Sequence, residues 1–444
     1  MIKKLNKLVG IKKTEFDDYV NDGQIHLSNA RLIPTFKVGD ELTLTSIFLS
    51  ALRLIKEFRY TMFSEVKLPK GGKAYYYTEA SFKDIDSSSR VDGLLIIVVG
   101  GVIKEAAFFE MKNKNNQLEE EQIKKYIELA KKLKVSKIIT VSNQFVGHSS
   151  HTPLDIRTPK SITLHHFSWT YIKTIGQLLL FKNDVNIEDE DQVELMNEVL
   201  TYLEDKASGV TGYHQMKKGW VDVVESINSN KKLLMSDKSV EDAVLSWHEE
   251  ENDLSLILSR EIGLLVTNNY PKAKLKGRLK DDIKKLVTKH FLKSSLVVKR
   301  AVSNIDITTN FNTRTISMNV NLIPPLDKGT KARIGWLIRQ VENCRKKQSD
   351  LFEKTSKELW IEANVKFSSN DIILKYDDID SLYDLASNKE IISFKIIYTN
   401  DLGKKFSSSR KFVEIIETMI LTYYKCYVQN LKNWTRPVAK ITEE

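Results

Sequence analysis

The spacing of apolar residues predicts an α/β unit in the first part of the chain. Between residues 41 and 58 apolar side chains recur every three or four positions, which is the period of a helix with one buried face. Residues 91–99 are apolar almost throughout, as in a strand that is buried on both faces. Gly100 and Gly101 predict a tight turn after it. The predicted order is a helix over 41–58, three strands over 75–82, 91–99 and 103–112, a helix over 118–133, a strand over 137–141, and a last strand running into a helix over 161–180.

The pattern changes beyond this unit. Residues 183–300 have apolar positions at helical spacing, whereas strict alternation returns after residue 301 and predicts a hairpin that turns near Asn312. Further strands are predicted near 359–367, 372–376 and 391–398, and a final helix over 412–423. We therefore predict a lead-in over 1–25, an α/β domain over 26–182, a mostly helical region over 183–300 and an α+β domain over 301–444.

Length and composition are those of a globular protein. The chain has 444 residues, enough for two or three domains, and is 41% hydrophobic and 28% charged. Two cysteines, Cys344 and Cys426, exclude a disulfide framework and favour a reducing compartment. The sequence contains no apolar run of the ~20 residues that a membrane helix needs, and residues 1–4 do not resemble a signal peptide. We expect a soluble cytoplasmic protein.

The net charge of +10 is concentrated in one segment. Residues 271–300 contain eleven Lys or Arg against two acidic residues, whereas residues 188–205 contain eight carboxylates and no Lys or Arg. A concentrated basic stretch suits contacts with nucleic-acid phosphates, although a solvated lysine-rich helix face explains the charge equally well. The candidate nucleic-acid-binding residues are Lys272, Lys274, Lys276, Arg278 and Lys280.

Charged residues interrupt two of the predicted strands. Asp92 begins one strand, and Glu110 and Lys112 lie near the end of the next. A charge in a buried strand is costly unless a metal or an opposite charge compensates it. Residues two apart in a strand emerge on the same face, so Glu110 and Lys112 are expected side by side. If Asp92 meets Glu110 across the strands, their oxygens can bind Mg²⁺, with Lys112 positioned to act on the attacking water or on the developing negative charge.

These residues carry a resemblance to a known family. Asp92 with Glu110-Met111-Lys112 resembles the core motif of the PD-(D/E)XK nuclease superfamily, which has the restriction-endonuclease-like fold. Gln122 and Tyr126 resemble the Q-x-x-x-Y helix motif of its RecB-like branch, and the order of elements around them is similar to the family core. Val91 stands where the name-giving proline would be.

The resemblance implies a fold, an activity and a set of roles. It implies a mixed sheet flanked by helices and a metal-dependent endonuclease, with Mg²⁺, or Mn²⁺ in its place, held by Asp92 and Glu110. Gln122 and Tyr126 would position the substrate backbone. Many members add an acidic residue from a preceding helix; Glu41 is the candidate here, with Glu57 and Glu79 as alternatives.

The resemblance also implies partners and a context. DNA is the expected substrate, with RNA as the other choice, and the protein would act in bacterial anti-phage or restriction-type defence, as a homodimer or higher homo-oligomer or with a partner protein. Two other hypotheses remain open: a catalytically silent nuclease fold that binds nucleic acid, and a scaffold whose basic segment meets an acidic protein. Zinc binding by His148 and His151 or by His165 and His166 is disfavoured, because no cysteine lies near them.

Overall fold

The chain forms a mixed α/β fold of two compact units. The computed structural model describes residues 5–29, 38–83, 85–114, 116–145, 152–154, 156–181, 186–270, 275–368 and 370–435. These residues form thirteen α-helices and two sheets. The first unit comprises Met1–Tyr213 with Ile262–Leu264, and the second comprises His214–Glu261 with Leu265–Glu444. Within the described ranges, no helix is both long and apolar enough to cross a membrane.

The first unit is built on a six-stranded sheet. Its elements in chain order are α1 Lys13–Asn21, β1 Ile25–Asn29, α2 Glu41–Leu54, α3 Lys56–Glu65, β2 Lys73–Phe82, β3 Asp86–Val99, β4 Val102–Met111, α4 Glu120–Leu133, β5 Lys137–Ser142, β6 Thr163–Ser168, α5 Trp169–Leu180 and α6 Glu190–Glu204. The strands lie in the order β1-β2-β3-β4-β5-β6. Pairs are antiparallel as far as β4, and β4, β5 and β6 are parallel. The mixed sheet and its flanking helices are therefore confirmed.

Helices cover both faces of this sheet. On one face, the predicted apolar stripe of α4 joins the core formed by strand residues such as Leu94 and Phe108. On the other face, the ring of Phe48 on α2 packs edge-on against Phe109 of β4 and Trp169 of α5, with centroid distances of 6.1 and 6.2 Å. Strands β3 and β4 are apolar on both sides because each side is covered.

Two details of the first unit differ from the sequence prediction. The single helix expected over 41–58 is interrupted at Ile55, whose extended backbone (φ −109°, ψ 105°) separates α2 from α3. The expected lead-in over 1–25 is part of the unit: Leu8 and Phe16 are buried in its core, and the Leu8 N–H donates to the carbonyl of Leu133.

The second unit is built on a seven-stranded antiparallel sheet in the order β12-β11-β13-β10-β9-β8-β7. Its elements are α7 Lys218–Asn228, α8 Lys238–Ile262, β7 Thr267–Asn268, α9 Leu275–Lys289, β8 Phe291–Val297, β9 Ile305–Asn310, β10 Thr315–Leu322, α10 Thr330–Lys347, α11 Ser349–Thr355, β11 Leu359–Val365, β12 Ile372–Lys375, α12 Leu382–Leu385, β13 Ile391–Asp401 and α13 Ser409–Tyr423. The β9–β10 hairpin confirms the turn predicted near Asn312, because Asn310 pairs with Thr315.

The units divide at residues 213 and 214, whereas the sequence placed boundaries at 182 and 300. Helix α6 belongs to the first unit because it packs closely on α5: a Cβ added to Gly176 would lie 2.9 Å from the Met196 sulfur. Strand β8, in the region expected to be mostly helical, pairs with β9 and so belongs to the second sheet.

Candidate active site

Asp92 and Glu110 lie on neighbouring strands where the β3–β4 pairing ends. The register runs from Val99–Val102 at the turn to Gly93–Phe109 at the far end. One position further, Asp92 Oδ2 accepts a hydrogen bond from the Met111 N–H at 2.8 Å. The carboxylate thus takes the place of a carbonyl acceptor at the end of the strand pair. This contact fixes the Asp92 side chain beside the strand that carries Glu110.

Glu110 is fully buried, and its carboxylate has one ionic partner. Oε1 lies 2.8 Å from the Lys112 Nζ. Apart from that ion pair, no described residue places a hydrogen bond of good geometry on either oxygen, although Asp92 and Tyr126 are near enough for hydrogen bonding with Glu110 to raise the pKa of each. A buried carboxylate with unused lone pairs is unfavourable unless another cation or donor reaches it. The position therefore has unused capacity to coordinate a positive ligand.

Burial and mutual repulsion shift the ionisation of this cluster. Burial, followed by the charge of Glu110, raises the pKa of Asp92 to about 8, against smaller opposing effects from the Met111 N–H and Lys112. For Lys112, burial acts to lower the pKa, but the Glu110 carboxylate and the charges of Glu41 and Asp92 outweigh it and raise the pKa. Near pH 7 the metal-free site therefore keeps a protonated Asp92 and a charged Lys112.

The pKa of Asp92 predicts how stability depends on pH. Because the folded pKa is about 8 and the ordinary value is 3.8, the stabilising effect of the bound proton is complete below pH 3.8 and is lost as pH rises through 8. Asp92→Asn keeps an acceptor for the Met111 N–H but does not ionise. In EDTA, we expect the wild-type melting temperature to fall relative to that of Asp92→Asn as the pH rises from about 4 to about 8, and to change little relative to it above that range. Parallel melting curves across that range would contradict the raised pKa.

Lys112 and Glu41 are held by hydrogen bonds and an ion-pair contact that the sequence pattern does not predict. The Lys112 carbonyl accepts from Trp169 Nε1 at 2.9 Å, and Lys112 Nζ lies 3.9 Å from Glu41 Oε2. Glu41, in the first turn of α2, also accepts from the Asn113 N–H at 3.1 Å and from Asn116 Nδ2 at 2.8 Å. In the sequence, the role of these asparagines is indicated only by the polar run directly after Glu110-Met111-Lys112.

The acidic candidates do not form a set of three ligands. Across the described residues, no group of three or more His, Cys, Asp or Glu side chains is placed to hold one metal ion. Glu41 approaches the cluster through Lys112, and Glu79 pairs with Arg90 at 2.9 Å. Glu57 lies on α3, separate from the strands that carry the two carboxylates. Asp92 and Glu110 are therefore the acidic candidates that face each other where the pairing of β3 and β4 ends.

Tyr126 joins the cluster through its hydroxyl group. The Tyr126 O–H donates to the Arg90 carbonyl at 3.0 Å and accepts from the Asp92 N–H at 3.2 Å. Burial, then the charges of Asp92 and Glu110, raise the pKa of Tyr126 well above its ordinary value, so the phenol stays protonated. Gln122 is half-buried one helical turn earlier, and among the described residues it has no hydrogen bond to either carboxylate. Tyr126 thus orients the Asp92 backbone.

One residue of the basic segment, Arg278, is not exposed as the sequence predicted. Lys272 and Lys274 lie outside the described residues, as does the side chain of Lys276, and Lys280 is exposed. Arg278, expected to bind phosphate, is buried; it forms an ion pair with Glu251, and its Nε lies 3.4 Å from Asp282. An arginine neutralised by two buried carboxylates is unavailable to a nucleic-acid backbone.

The histidine and cysteine candidates within the described residues are buried side chains. His148 and His151 lie outside the described residues. The buried ring of His166 lies between Thr140 Oγ1 at 2.9 Å and the Gln144 carbonyl at 2.8 Å, and burial lowers the pKa of His166 to about 4, so it is neutral at pH 7. Cys344 and Cys426 are buried free thiols.

The cluster brings together four groups that the sequence had singled out across 85 positions of chain: Glu41, Asp92, the Glu110–Lys112 pair and Tyr126. Its chemistry is that of three acidic groups, one charged amine and one phenol, gathered at the ends of two central strands and on the helices beside them. Comparison with protein-family models, with curated proteins and with solved structures gives no match to this chain.

Proposed function

We propose that the protein is a metal-dependent nuclease that hydrolyses phosphodiester bonds, with DNA as its preferred substrate. The observation that supports this most is the buried Glu110 carboxylate, which faces Asp92, pairs with Lys112 and receives no hydrogen bond of good geometry from the described residues. The bacterial defence context, the partner protein and the oligomeric state stay predictions from the resemblance in the sequence.

The residues present fit a hard divalent cation. Mg²⁺ is commonly bound through one or two carboxylates, with water and substrate phosphate oxygens completing its octahedron, so Asp92 and Glu110 suffice as protein ligands. Their mutual repulsion, which contributes to the raised pKa of Asp92, is what a cation would relieve. A bound Mg²⁺ would supply Lewis-acid polarisation of the phosphate and a lowered pKa for the attacking water.

The remaining roles in catalysis would belong to side chains and backbone groups of the chain itself. Lys112 carries its positive charge beside Glu110, so its ammonium is suited to donate to a phosphate oxygen on which negative charge develops. Its raised pKa favours this electrostatic role over deprotonation of water. Tyr126 and the Met111 N–H hold the backbone and side chain of Asp92 in place.

The test is a cleavage assay on circular plasmid, linear duplex DNA, single-stranded DNA and RNA. Each substrate is incubated with Mg²⁺, Mn²⁺ or EDTA, and wild type is compared with Glu110→Gln. We expect cutting that requires the metal, is fastest on DNA and is lost in the variant, since the amide has no charge to hold a cation. Faster cutting of RNA would overturn the substrate assignment but not the nuclease.

Two other outcomes correspond to the rival functions. Salt-sensitive binding of nucleic acid without cleavage of any substrate would favour a silent nuclease fold that acts by binding. Neither binding nor cleavage would favour the scaffold. Cutting by wild type that survives in EDTA would contradict the metal-dependent mechanism.

A further inference from the structure

The first unit has a small cavity lined by basic side chains, separate from the carboxylate cluster. Its volume is about 220 Å³, and it lies between the α2–α3 junction and the turn that precedes β2. Four cationic residues line it, Arg53, Arg59, Lys70 and Lys73, and none of the described lining residues is Asp or Glu. Ile97 of β3 forms part of its wall. Ile97 is five residues from Asp92, about 17 Å along an extended strand.

Arg59 is the fixed member of the group. Its Nη1 donates to the carbonyl of Leu52 at 3.2 Å and to that of Arg53 at 3.0 Å, which are among the last carbonyls of α2. Its guanidinium carbon lies 5.4 Å from the centre of the Tyr60 ring. The side chain is half-buried and anchored at one end, so a ligand would meet a preorganised guanidinium with donors to spare.

The other cations are exposed and can adjust to a ligand. The Lys70 ammonium lies 5.7 Å from the same Tyr60 ring, and the Lys73 ammonium lies 5.3 Å from the Tyr75 ring. Arg53 is exposed at the end of α2. Among the described residues, none of the four forms an ion pair with a carboxylate. Their repulsion is therefore relieved only by solvent ions or by an anionic ligand.

The turn before β2 brings the lysines together. Gly72 adopts a left-handed backbone (φ +97°), and a Cβ at this position would lie 2.8 Å from the Val98 carbonyl. Glycine is therefore required for the close approach of the turn to β3. With this turn in place, Lys70 and Lys73 line one cavity from both sides of Gly71–Gly72.

Charge and size define the class of ligand. Arginine forks and lysine ammonium groups together are suited to the several oxygens of a phosphate. A volume of about 220 Å³ is below the roughly 300–1,000 Å³ of sites for drug-sized molecules, so it suits one phosphate with the adjoining sugar. We propose that this cavity binds the phosphate monoester of a nucleotide, either a free nucleotide or the terminal phosphate of a polynucleotide. The proposal does not depend on nuclease activity.

The test is equilibrium binding by the full chain at low ionic strength in EDTA, so that cleavage does not interfere. The probes are inorganic phosphate, AMP, and a short oligonucleotide that carries either a 5′-phosphate or a 5′-hydroxyl. The cavity variant is Arg53→Glu/Lys70→Glu, which leaves the anchored Arg59 in place. Its control, Lys231→Glu/Lys232→Glu, makes the same change of net charge at exposed lysines that do not line the cavity. Melting temperatures establish that both variants are folded.

We expect a phosphate-bearing probe to bind at least about tenfold more weakly to the cavity variant than to wild type or the control. A preference for AMP identifies a free nucleotide, and a preference for the 5′-phosphate over the 5′-hydroxyl oligonucleotide identifies a polynucleotide end. Equal weakening in both variants would mean non-specific attraction and overturn the proposal. Failure of every probe to bind wild type would overturn it as well, whatever the cleavage assay gives.

Discussion

Substitution of Lys112 by methionine is expected to reduce DNA cleavage in Mg²⁺ by about 10²–10³-fold, the usual effect of removing one group that stabilises transition-state charge. Methionine keeps most of the side-chain volume, whereas the charge 2.8 Å from Glu110 Oε1 is lost. The measurement is the initial rate on the preferred substrate at saturating metal. Lys125→Ala, which removes one positive charge from the exposed face of α4, is the matched control and should cut at the wild-type rate.

A loss of folding must be distinguished from this loss of chemistry. Removing Lys112 leaves Glu110 buried without its cation, and breaking a buried ion pair from one side costs about 3–5 kcal/mol. The double variant Glu110→Gln/Lys112→Met removes both charges, so it should recover much of that stability while remaining inactive. A Lys112→Met protein that is folded and fully active would refute the role assigned to this lysine.

Trp220→Ala is expected to cost about 3–5 kcal/mol of unfolding free energy in the second unit, the range for truncating a buried aromatic side chain. Trp220 is completely buried, its ring centroid lies 4.5 Å from that of Phe412 and 4.7 Å from that of Phe311, and its Nε1 donates to the Phe406 carbonyl at 2.9 Å. The substitution therefore opens a cavity and leaves that carbonyl without its donor.

Urea denaturation followed by circular dichroism measures this cost. Trp434→Ala is the matched control, because Trp434 is 37% exposed and its loss should change stability by about 0.5 kcal/mol or less. If the Trp220 variant were no less stable than the Trp434 variant, the packing described for the second unit would be wrong.

Periodicity predicted the elements that carry the candidate site, because each is long and buried on at least one face. Helix α4 was expected over 118–133 and runs from Glu120 to Leu133, and the three strands differ from their predicted bounds by five residues or fewer at each end. Asp92 bonds to the β4 backbone because β3 and β4 are adjacent strands joined by a Gly-Gly turn. The local sequence around that turn is enough to predict this pairing.

Other features depended on partners that are distant in sequence. The break at Ile55 has no Gly or Pro to signal it. The burial of Arg278 depends on Glu251, which lies 27 positions away on another helix, so a count of charges along the chain cannot reveal it. The asparagines that bind Glu41 were missed for the same reason: their contact spans 72 positions or more.

The hairpin formed by β3 and β4 has a consequence for how the acidic pair is assembled. Asp92 and Glu110 are 18 positions apart and belong to strands joined by Gly100 and Gly101, both in left-handed conformations. Closing a loop of that length costs little entropy, and the antiparallel ladder alone fixes the register of the two residues. The acidic pair is therefore a product of local folding. Changes in the surrounding helices alter the solvation of the carboxylates more readily than the distance between the backbones that carry them.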